Sequence, residues 1–355
     1  MSNKINIGNI NIGSVKLGTA DVSLYLGNNK LYPITPPSFQ GKWIATYSDS
    51  HTESAECDWN TYIDSDEIEL TDLVSLEIGD CVEGINNYAF ISCASLSSCT
   101  IGSGVTTIGQ SAFEACESLT NINIPSGVTS IGYGAFIDCY SLESIDIPNS
   151  VTSIEEDTFK SCYSLSSCTI GSGVTSIGRY AFQNCSNLES IDIPSGVTSI
   201  EELVFYECSS LSSITIPDSV TSIGEYAFGY CYSLTSIDIP SGVTSIGTNA
   251  FYNCGLTTIS IPSGVTTIGS GAFGSCGDLI SCTIGSGVTN IGMEAFQNCW
   301  SITSITVLAT TPPTLESDVF KDTNDCPIYV PAASVSAYQS AWSEYSSRIQ
   351  AIPNS

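Results

Sequence analysis

The stretch IPSGVTSIGYGAFIDCYSLESIDI, residues 124–147, decides the fold, because near copies of it recur along most of the chain. Its phenylalanine repeats at a step of 23 residues from Phe90 to Phe251, and then at steps of 22, 23 and 24 residues up to Phe320. The short step arises because Cys254-Gly255-Leu256 lacks one residue that the other copies carry. Self-similarity at such a period indicates a solenoid of stacked coils. Ten units begin at Ile78, Ile101, Ile124, Ile147, Ile170, Ile193, Ile216, Ile239, Ile261 and Ile284.

Within one coil, the residue pattern predicts two short strands and one turn. Apolar and polar residues alternate over 142–147, which is typical of a strand with one buried face, and Pro148 ends that strand because it has no N–H to donate. The β-branched stretch 151–154 suits a second strand. Apolar residues three apart across 135–142 favour a helical or 3₁₀ turn. We therefore predict a mainly β fold with short helical or 3₁₀ turns, in which the stacking of coils buries the core.

The consensus IPSGVTSIGxxAFxxCxSLxSIxI, as in residues 124–147 and 193–216, resembles the BspA-type leucine-rich repeat. The resemblance extends over about residues 73–351 and implies a leucine-rich-repeat solenoid of about ten 23-residue coils. It also implies a role in adhesion at a bacterial cell surface, which is usual for proteins with these repeats.

Both ends of the chain differ from the repeats. Residues 308–338 are similar to the end piece of BspA-like proteins from gut Bacteroidetes, which predicts a C-terminal α/β cap with a strand at 328–330 and a short helix near 333–348. Residues 1–33 predict a small β module. This leader resembles those that open virion and tail-associated proteins of phages infecting gut Bacteroidetes. Its candidate assembly residues are Ile5, Ile7, Ile10, Ile12, Val15, Leu17, Tyr25 and Leu26.

These patterns divide the chain into four parts. The predicted domains are an N-terminal β anchoring module at 1–33, a linker and N-terminal cap at 34–72, the repeats at 73–306 and a C-terminal cap at 307–355. In the second part, Trp43, Tyr47, Trp59 and Tyr62 are expected to pack over the first coil. A lone two-stranded module is marginal in water, so we expect the first part to pair with another chain.

The charge balance excludes several classes of partner. The chain has 355 residues, with 8 Lys and Arg against 36 Asp and Glu, and a formal net charge of −28. Binding to nucleic acid or to anionic lipid requires clustered basic residues. The sequence has no run of about 18 apolar residues that would span a membrane, and its start has no apolar core typical of a secretory signal. We therefore expect no nucleic acid partner, no membrane insertion and no export signal.

The sixteen cysteines do not have the spacing of a disulfide framework or a metal site. Three of the sixteen, Cys99, Cys168 and Cys282, occupy strand positions that are isoleucine in other coils, which indicates that the site requires a small buried hydrophobic side chain. No CxxC pair occurs, so we expect free buried thiols, no cofactor and no metal. Acidic residues across 49–83 leave calcium binding open as an alternative to a charged cap. Ten cysteines form a column: Cys93, Cys116, Cys139, Cys162, Cys185, Cys208, Cys231, Cys254, Cys276 and Cys299.

A search for catalytic residues finds one histidine, His51. It lies in a polar stretch with Ser48, Asp49 and Ser50, outside the repeats. Adjacent residues in one loop rarely supply the geometry of a Ser–His–Asp triad, so an exposed histidine is the simpler interpretation. We predict that the protein is not an enzyme and has no catalytic residues.

Large side chains cluster around the Ala-Phe turn of the coils, whereas the outward strand positions are small and polar. Tyrosine and tryptophan give a large contact area at low entropic cost, which is typical of binding surfaces. The alternative is that these rings cover the coil edges and pack on their neighbours. The candidate recognition residues are Tyr133, Tyr140, Tyr163, Tyr180, Tyr206, Tyr226, Tyr230, Tyr232, Tyr252 and Trp300.

Two functions follow from these features. The favoured hypothesis is a phage virion component, such as a fibre, tail or capsid-decorating protein, made in the host cytoplasm. In it the module 1–33 binds other virion proteins or further copies of the chain, and the rod binds a host-surface protein or glycan. The alternative is a bacterial cell-surface adhesin. Because an adhesin needs a signal peptide and a sorting tail and the sequence shows neither, we expect the first.

Overall fold

The computed structural model describes residues 6–7, 10–11, 23–26, 29–33, 41–56, 62–63, 70 and 72–353. It confirms the predicted fold class: the chain is a mainly β solenoid of about twelve turns of about 23 residues, with few short helices. The number of turns exceeds the ten predicted units, because residues of both ends continue the strand rows of the repeats.

One side of each coil carries its longest strand, and we call this side the strand face. Within the repeats the strands are parallel and in register, so that Ser144 lies beside Ser167 and Ile145 beside Cys168. This register confirms that cysteine and isoleucine exchange at one buried site. A nine-stranded sheet contains Thr52–Glu56, Gly41–Tyr47, Leu73–Ile78, Ser98–Thr100, Asn121–Asn123, Ser144–Ile147, Ser167–Ile170, Ser190–Asp192 and Ser213–Thr215. A five-stranded sheet follows with Thr258–Ile261, Ser281–Ile284, Ser304–Val307, Ile328–Val330 and Ile349–Ala351.

The two sheets of the strand face are separated by the coil whose 236–239 stretch is not a strand. A second row of two-residue strands runs along another side of the rod, where the predicted β-branched segments lie. This row continues past the interruption, from Ser222–Ile223 through Ser245–Ile246 to Thr267–Ile268. Its other members are Tyr62–Ile63, Gly84–Ile85, Thr107–Ile108, Ser130–Ile131, Ser153–Ile154, Ser176–Ile177, Ser199–Ile200, Asn290–Ile291 and Thr314–Leu315.

The core is a stack of identical side chains. Eleven phenylalanines from Phe90 to Phe320 are fully buried, and neighbouring rings lie 5.2–5.7 Å apart. Leucine, isoleucine and valine from the two strand rows surround this column. Because one coil has no partner for its apolar face, each coil is stabilised by its neighbours.

The third side of the rod, which we call the turn face, has a backbone that alternates between two kinds of hydrogen bond. The N–H groups of Gly134, Phe136 and Asp138 donate to carbonyls of the next coil at 2.9–3.0 Å. Those of the residues between them make i→i+3 bonds within the coil, as a 3₁₀ turn would. Because φ is positive at Gly134 and Asp138, alternate N–H groups point toward the next coil. The predicted helical turn therefore does not extend into a regular helix.

The cysteine column has a structural role in this turn. Each thiol of the column after Cys93 donates to the carbonyl oxygen of the phenylalanine in the preceding coil, with sulfur–oxygen distances of 3.0–3.3 Å. Burial raises the pKa of the Cys299 thiol to about 12 and that of Cys208 also above its ordinary value. Cysteine suits this site because it is small and apolar and still supplies a weak donor.

The predicted lack of disulfides holds for the cysteines from Cys93 to Cys299, all of which are free and buried. The expectation of free thiols is wrong for Cys81, which is disulfide-bonded. Cys57, the remaining cysteine of the sequence, lies outside the described residues. Neither of these two belongs to the repeating column, so the repeat pattern did not reveal their state.

We expect titration of the denatured protein without reductant to count fourteen free thiols of the sixteen cysteines. In the folded protein at pH 8 a thiol reagent should react slowly, because burial removes access and raises the pKa of column thiols such as Cys139 and Cys208. A count near sixteen would contradict the disulfide at Cys81. A count far below fourteen would contradict the free column.

Both ends of the phenylalanine column are covered. At the start, the antiparallel pair Gly41–Tyr47 and Leu73–Ile78 brings the buried Trp43 and Tyr47 over the first coil. Trp59 and the side chain of Tyr62 lie outside the described residues.

At the other end, Phe320 contacts Trp342 and Tyr345 at ring distances of 5.8 and 5.5 Å. The helical part of this cap comprises Ala332–Ser334 (3₁₀), Val335–Ala341 (α) and Ser343–Arg348 (3₁₀). The side chain of Tyr338 donates to the carbonyl oxygen of Ala309 at 2.8 Å. These contacts close the last coil, as the stacking of coils requires.

In the leader, two antiparallel pairs are described: Asn6–Ile7 with Ile10–Asn11, and Ser23–Leu26 with Asn29–Pro33. They contain Ile7, Ile10, Tyr25 and Leu26 of the predicted assembly segment. The other four, Ile5, Ile12, Val15 and Leu17, lie outside the described residues, as do all of the acidic residues between 64 and 69. None of the helices in the described part of the chain is long and apolar enough to cross a membrane.

Candidate functional site

The ten predicted recognition residues all lie on the turn face, in two structural classes. Four are more than two-fifths exposed: Tyr133 (41%), Tyr163 (44%), Tyr232 (53%) and Trp300 (62%). The other six are half-buried against neighbouring rings or charges: Tyr140, Tyr180, Tyr206, Tyr226, Tyr230 and Tyr252. Four of the rings are therefore accessible at the surface, whereas the other six cover the coil edges.

Tyr133 belongs to a polar network in the middle of the rod. Its hydroxyl donates to the carboxylate of the buried Asp157 at 2.8 Å, and Lys160 lies 3.2 Å from the same carboxylate. The Lys160 ammonium also lies 5.2 Å from the ring centre of Tyr180, in cation–π contact. The hydrogen bond to Asp157, together with burial, raises the pKa of Tyr133 to about 12.

We expect the Tyr133 phenol to ionise near pH 12, well above an ordinary tyrosine. Because the folded pKa is raised, the hydrogen bond stabilises the fold fully below pH about 10 and loses this effect as the pH rises toward 12. The absorbance difference at 295 nm between wild type and Tyr133→Phe isolates this phenol. In Asp157→Asn its titration should move to lower pH, and an unchanged midpoint would contradict the assigned cause.

Five tyrosines form a cluster in the next part of the turn face. The ring of Tyr206 meets those of Tyr226 and Tyr230 edge to face at 5.6 and 5.3 Å. Tyr230 contacts Tyr252 at 5.6 Å and Tyr232 at 6.1 Å. Edge-to-face pairs of this kind hold rings in place, so Tyr232 stands at the border of a preorganised aromatic cluster.

A groove lies between this cluster and Trp300. Tyr232 and Trp300 occupy the same position in their coils, four residues after the phenylalanine, and the two coils between them carry Gly255 and Gly277 there. The groove has a volume of about 440 Å³, and both rings line it together with Asn253 and other small residues. We call it the Tyr232–Trp300 groove. Its remaining lining residues are Cys254, Ser275, Asp278 and Ser301.

Carboxylates flank Trp300 on both sides. Asp278 lines the groove, whereas Asp322 and Asp325 line a second hollow of about 370 Å³ that Trp300 also borders. All three side chains belong to exposed residues. The nearby Lys321 ammonium pairs with Asp318 at 3.5 Å. The sequence analysis identifies Trp300 and Tyr232 but not these aspartates. Asp278 belongs to a different coil from Trp300, and Asp322 and Asp325 belong to the C-terminal cap, so the repeat pattern does not group them with the ring.

Four further large side chains are exposed but are not among the ten predicted recognition residues. Tyr88, Ile280, Met293 and Leu308 are each between 43% and 49% exposed. Tyr88 has a positive φ of 63° at the position two residues before the phenylalanine. Comparison of equivalent positions in each coil would have found Tyr88, since Tyr180 and Tyr226 stand at the same place.

The histidine is not part of a recognisable catalytic arrangement. The His51 ring hydrogen-bonds to the carboxylate of Asp49 and stacks on Tyr47 with ring centres 4.3 Å apart. The hydrogen bond from the His51 backbone N–H, followed by that from the ring, lowers the pKa of Asp49. Both side chains are exposed at the turn between two strands. Among the described residues no group of three or more His, Cys, Asp or Glu is placed to hold a metal ion.

Comparison with protein families gives one match. A family model described as "BspA type Leucine rich repeat region (6 copies)" matches residues 83–212 and again residues 198–327. The two matches together span more than half of the chain. Among curated proteins, none matches the chain.

Several solved structures are similar to the chain. A leucine-rich repeat protein from Bacteroides ovatus is 24% identical with a TM-score of 0.57, over 87% of this chain and 98% of that one. A leucine rich cell surface protein from Faecalibacterium prausnitzii is 28% identical with a TM-score of 0.39, over 77% and 95%. The T. pallidum Leucine Rich Repeat protein is 30% identical with a TM-score of 0.42, over 46% and 85%. The first likeness shows a shared fold.

Proposed function

The chain belongs to the family of BspA-type leucine-rich repeat proteins, and from this premise we propose that it is a non-enzymatic adhesin of a bacterial cell surface. In this proposal the rod binds a protein of a host or of a neighbouring cell through its turn face. Leucine-rich repeat proteins generally mediate protein–protein binding, and such repeat families are typically structural or binding proteins.

The observation that carries the proposal is the row of exposed rings on the turn face. Tyr133, Tyr163, Tyr232 and Trp300 are 41–62% exposed, and they are spread over coils that stack rigidly. Interfaces are enriched in tyrosine and tryptophan because these side chains bury much area and have few rotatable bonds. The strand face instead presents serine, threonine and aspartate, as at Ser144–Ile147, which supply few anchors.

The state of the cysteines supports a location outside the cytoplasm. Cys81 is disulfide-bonded, and disulfides persist mainly in oxidising compartments. The fourteen free cysteines are all buried. Burial raises the pKa of thiols such as Cys139 and Cys168, so that little reactive thiolate is present to be oxidised. A chain with many free thiols is thereby compatible with an oxidising surface.

The family therefore favours the cell-surface hypothesis over the virion component that the leader suggested. The relatives named above are bacterial proteins, and the resemblance of residues 1–33 to phage leaders has no support from them. We retain the prediction that the leader, through Ile7, Ile10, Tyr25 and Leu26 among others, joins the rod to another chain.

Two measurements test this proposal. Immunogold labelling of intact producing cells with antibodies against the rod should decorate the cell surface, and labelling only after lysis would refute the location. For binding, beads carrying the full chain are offered a panel of extracellular matrix proteins. Replacement of Tyr133, Tyr163, Tyr232 and Trp300 by serine should abolish capture.

A matched variant serves as the control for the binding test. Replacement of Ser144, Ser167 and Ser190 by alanine removes three hydroxyl groups from the strand face and should leave capture unchanged. If the strand-face variant loses capture and the turn-face variant keeps it, then recognition belongs to the strand face and the proposal is wrong.

A further inference from the structure

Building on the proposed function, we infer that the Tyr232–Trp300 groove binds a cationic side chain, arginine or lysine, of a basic segment in the partner protein. The groove is the place where the turn face changes from a closed row of rings to an open cleft with charge beside it. Three features of the groove support this: its width, the glycines between its two rings and the carboxylates beside it.

The width of the groove follows from the stacking of coils. Tyr232 and Trp300 are three coils apart at one equivalent position, which corresponds to about 14 Å along the rod. The Trp300 ring lies over Gly277, where an added Cβ would come within 3.1 Å of the indole. Gly255 has no room for any side chain, because its Cβ would lie 2.1 Å from the carbonyl oxygen of Tyr232. The floor between the two rings is therefore bare backbone.

The groove lies where two adjacent coils carry glycine between two coils that carry rings at the same position. The coil of Gly255 is also one residue shorter than the coil of Tyr232. Where neighbouring coils both carry a ring at this position, the space is filled: the rings of Tyr140 and Tyr163 stack on each other at 5.3 Å. The two glycines therefore leave open the space between Tyr232 and Trp300.

The charge beside the groove is negative. Asp278 lies in the groove, and Asp322 and Asp325 lie on the far side of Trp300. The basic residue closest in sequence to these two, Lys321, is paired with Asp318 at 3.5 Å. With a net charge of −28 on the whole chain, the field attracts cations and repels anions.

An aromatic face bordered by carboxylates is a preferred site for a cation. The face of a tryptophan or tyrosine ring carries negative potential, and tryptophan binds cations best of the three aromatic side chains. Within the described residues this contact occurs between Lys160 and the Tyr180 ring at 5.2 Å and between Arg348 and the Tyr345 ring at 5.5 Å. At Trp300 the ring is 62% exposed, so the equivalent contact is open to a partner. Charge complementarity thus selects a basic protein segment as the occupant.

The test compares two short peptides that differ only in charge. Acetyl-Gly-Arg-Gly-amide and its citrulline counterpart have nearly the same shape, but citrulline is neutral. Each is titrated into the ¹⁵N-labelled full chain, and the indole N–H signal of Trp300 is followed, assigned by its loss in Trp300→Phe. We expect the arginine peptide to shift this signal and the citrulline peptide to bind about fivefold to thirtyfold more weakly.

Further variants sharpen the test, and the fluorescence anisotropy of a dye-labelled arginine peptide measures its binding to each of them. Trp300→Ala and Asp278→Asn should weaken binding, whereas Trp300→Phe should weaken it less because it keeps a ring. Tyr88→Ala removes an exposed ring that lies outside the groove and outside the four recognition rings, and it should leave peptide binding unchanged.

The outcomes separate this inference from the proposed function. Equal binding of both peptides, or binding that survives Trp300→Ala, would overturn the groove assignment, as would Trp300-dependent binding of a neutral oligosaccharide in place of the peptide. If the groove binds the arginine peptide but the beads capture no matrix protein, then the groove assignment stands and the proposed adhesin function fails. We also expect the affinity for the arginine peptide to fall as the salt concentration rises from 50 to 500 mM, because salt screens exposed charges.

Discussion

Replacement of Phe182 by alanine should lower the free energy of unfolding by about 3–5 kcal/mol. Phe182 is fully buried, and its ring lies between those of Phe159 and Phe205 at 5.4 and 5.6 Å. Deletion of the ring removes the transfer free energy of the side chain and leaves a cavity that rigidly stacked coils fill poorly. Equilibrium unfolding in urea, with wild type and variant side by side, measures the loss.

The loss should also be local. In a quasi-one-dimensional stack each coil interacts mainly with its neighbours, so the coils of Phe159, Phe182 and Phe205 should lose protection first. Hydrogen exchange can follow the inter-coil bonds, such as the one from the Phe159 N–H to the Ala181 carbonyl at 2.9 Å. Tyr163→Ala, at a side chain that is 44% exposed, is the control and should change stability little. Equal loss of protection from end to end would contradict the nearest-neighbour picture.

Gly173→Ala should be the second most damaging substitution, at a cost of about 3 kcal/mol or more. A Cβ on Gly173 would lie 2.0 Å from the carbonyl oxygen of Asn149 in the preceding coil. Because that atom belongs to the backbone, the whole coil has to move to relieve the overlap. Thermal unfolding of the variant should therefore begin at a lower temperature than that of the wild type.

Gly127→Ala is the matched control at the same repeat position. The nearest atom to its added Cβ is the Ser103 carbonyl oxygen at 3.4 Å, an ordinary contact. Here alanine restricts the unfolded chain without a clash, so stability should stay the same or rise by about 0.4–1 kcal/mol. Similar effects of the two substitutions would show that coil spacing is not what distinguishes these glycines.

The tertiary structure also decided several matters on which the sequence interpretation was incomplete or wrong. The apolar spacing across 135–142 predicted a helical or 3₁₀ turn, but positive φ values at Gly134 and Asp138 direct half of the N–H groups to the next coil. The disulfide at Cys81 was not expected, because it lies outside the repeating column.

The sequence by itself determined the solenoid, the period, the buried phenylalanine and cysteine columns and the turn face as the location of large rings. It did so because every coil meets the same environment, so that a buried position appears as the same residue type each time. Only the tertiary structure decided which rings are exposed, which of two identical-looking glycines has no space, and that Tyr232, Asp278 and Trp300 line one groove. These depend on distances between coils, to which residues far apart in the chain contribute together.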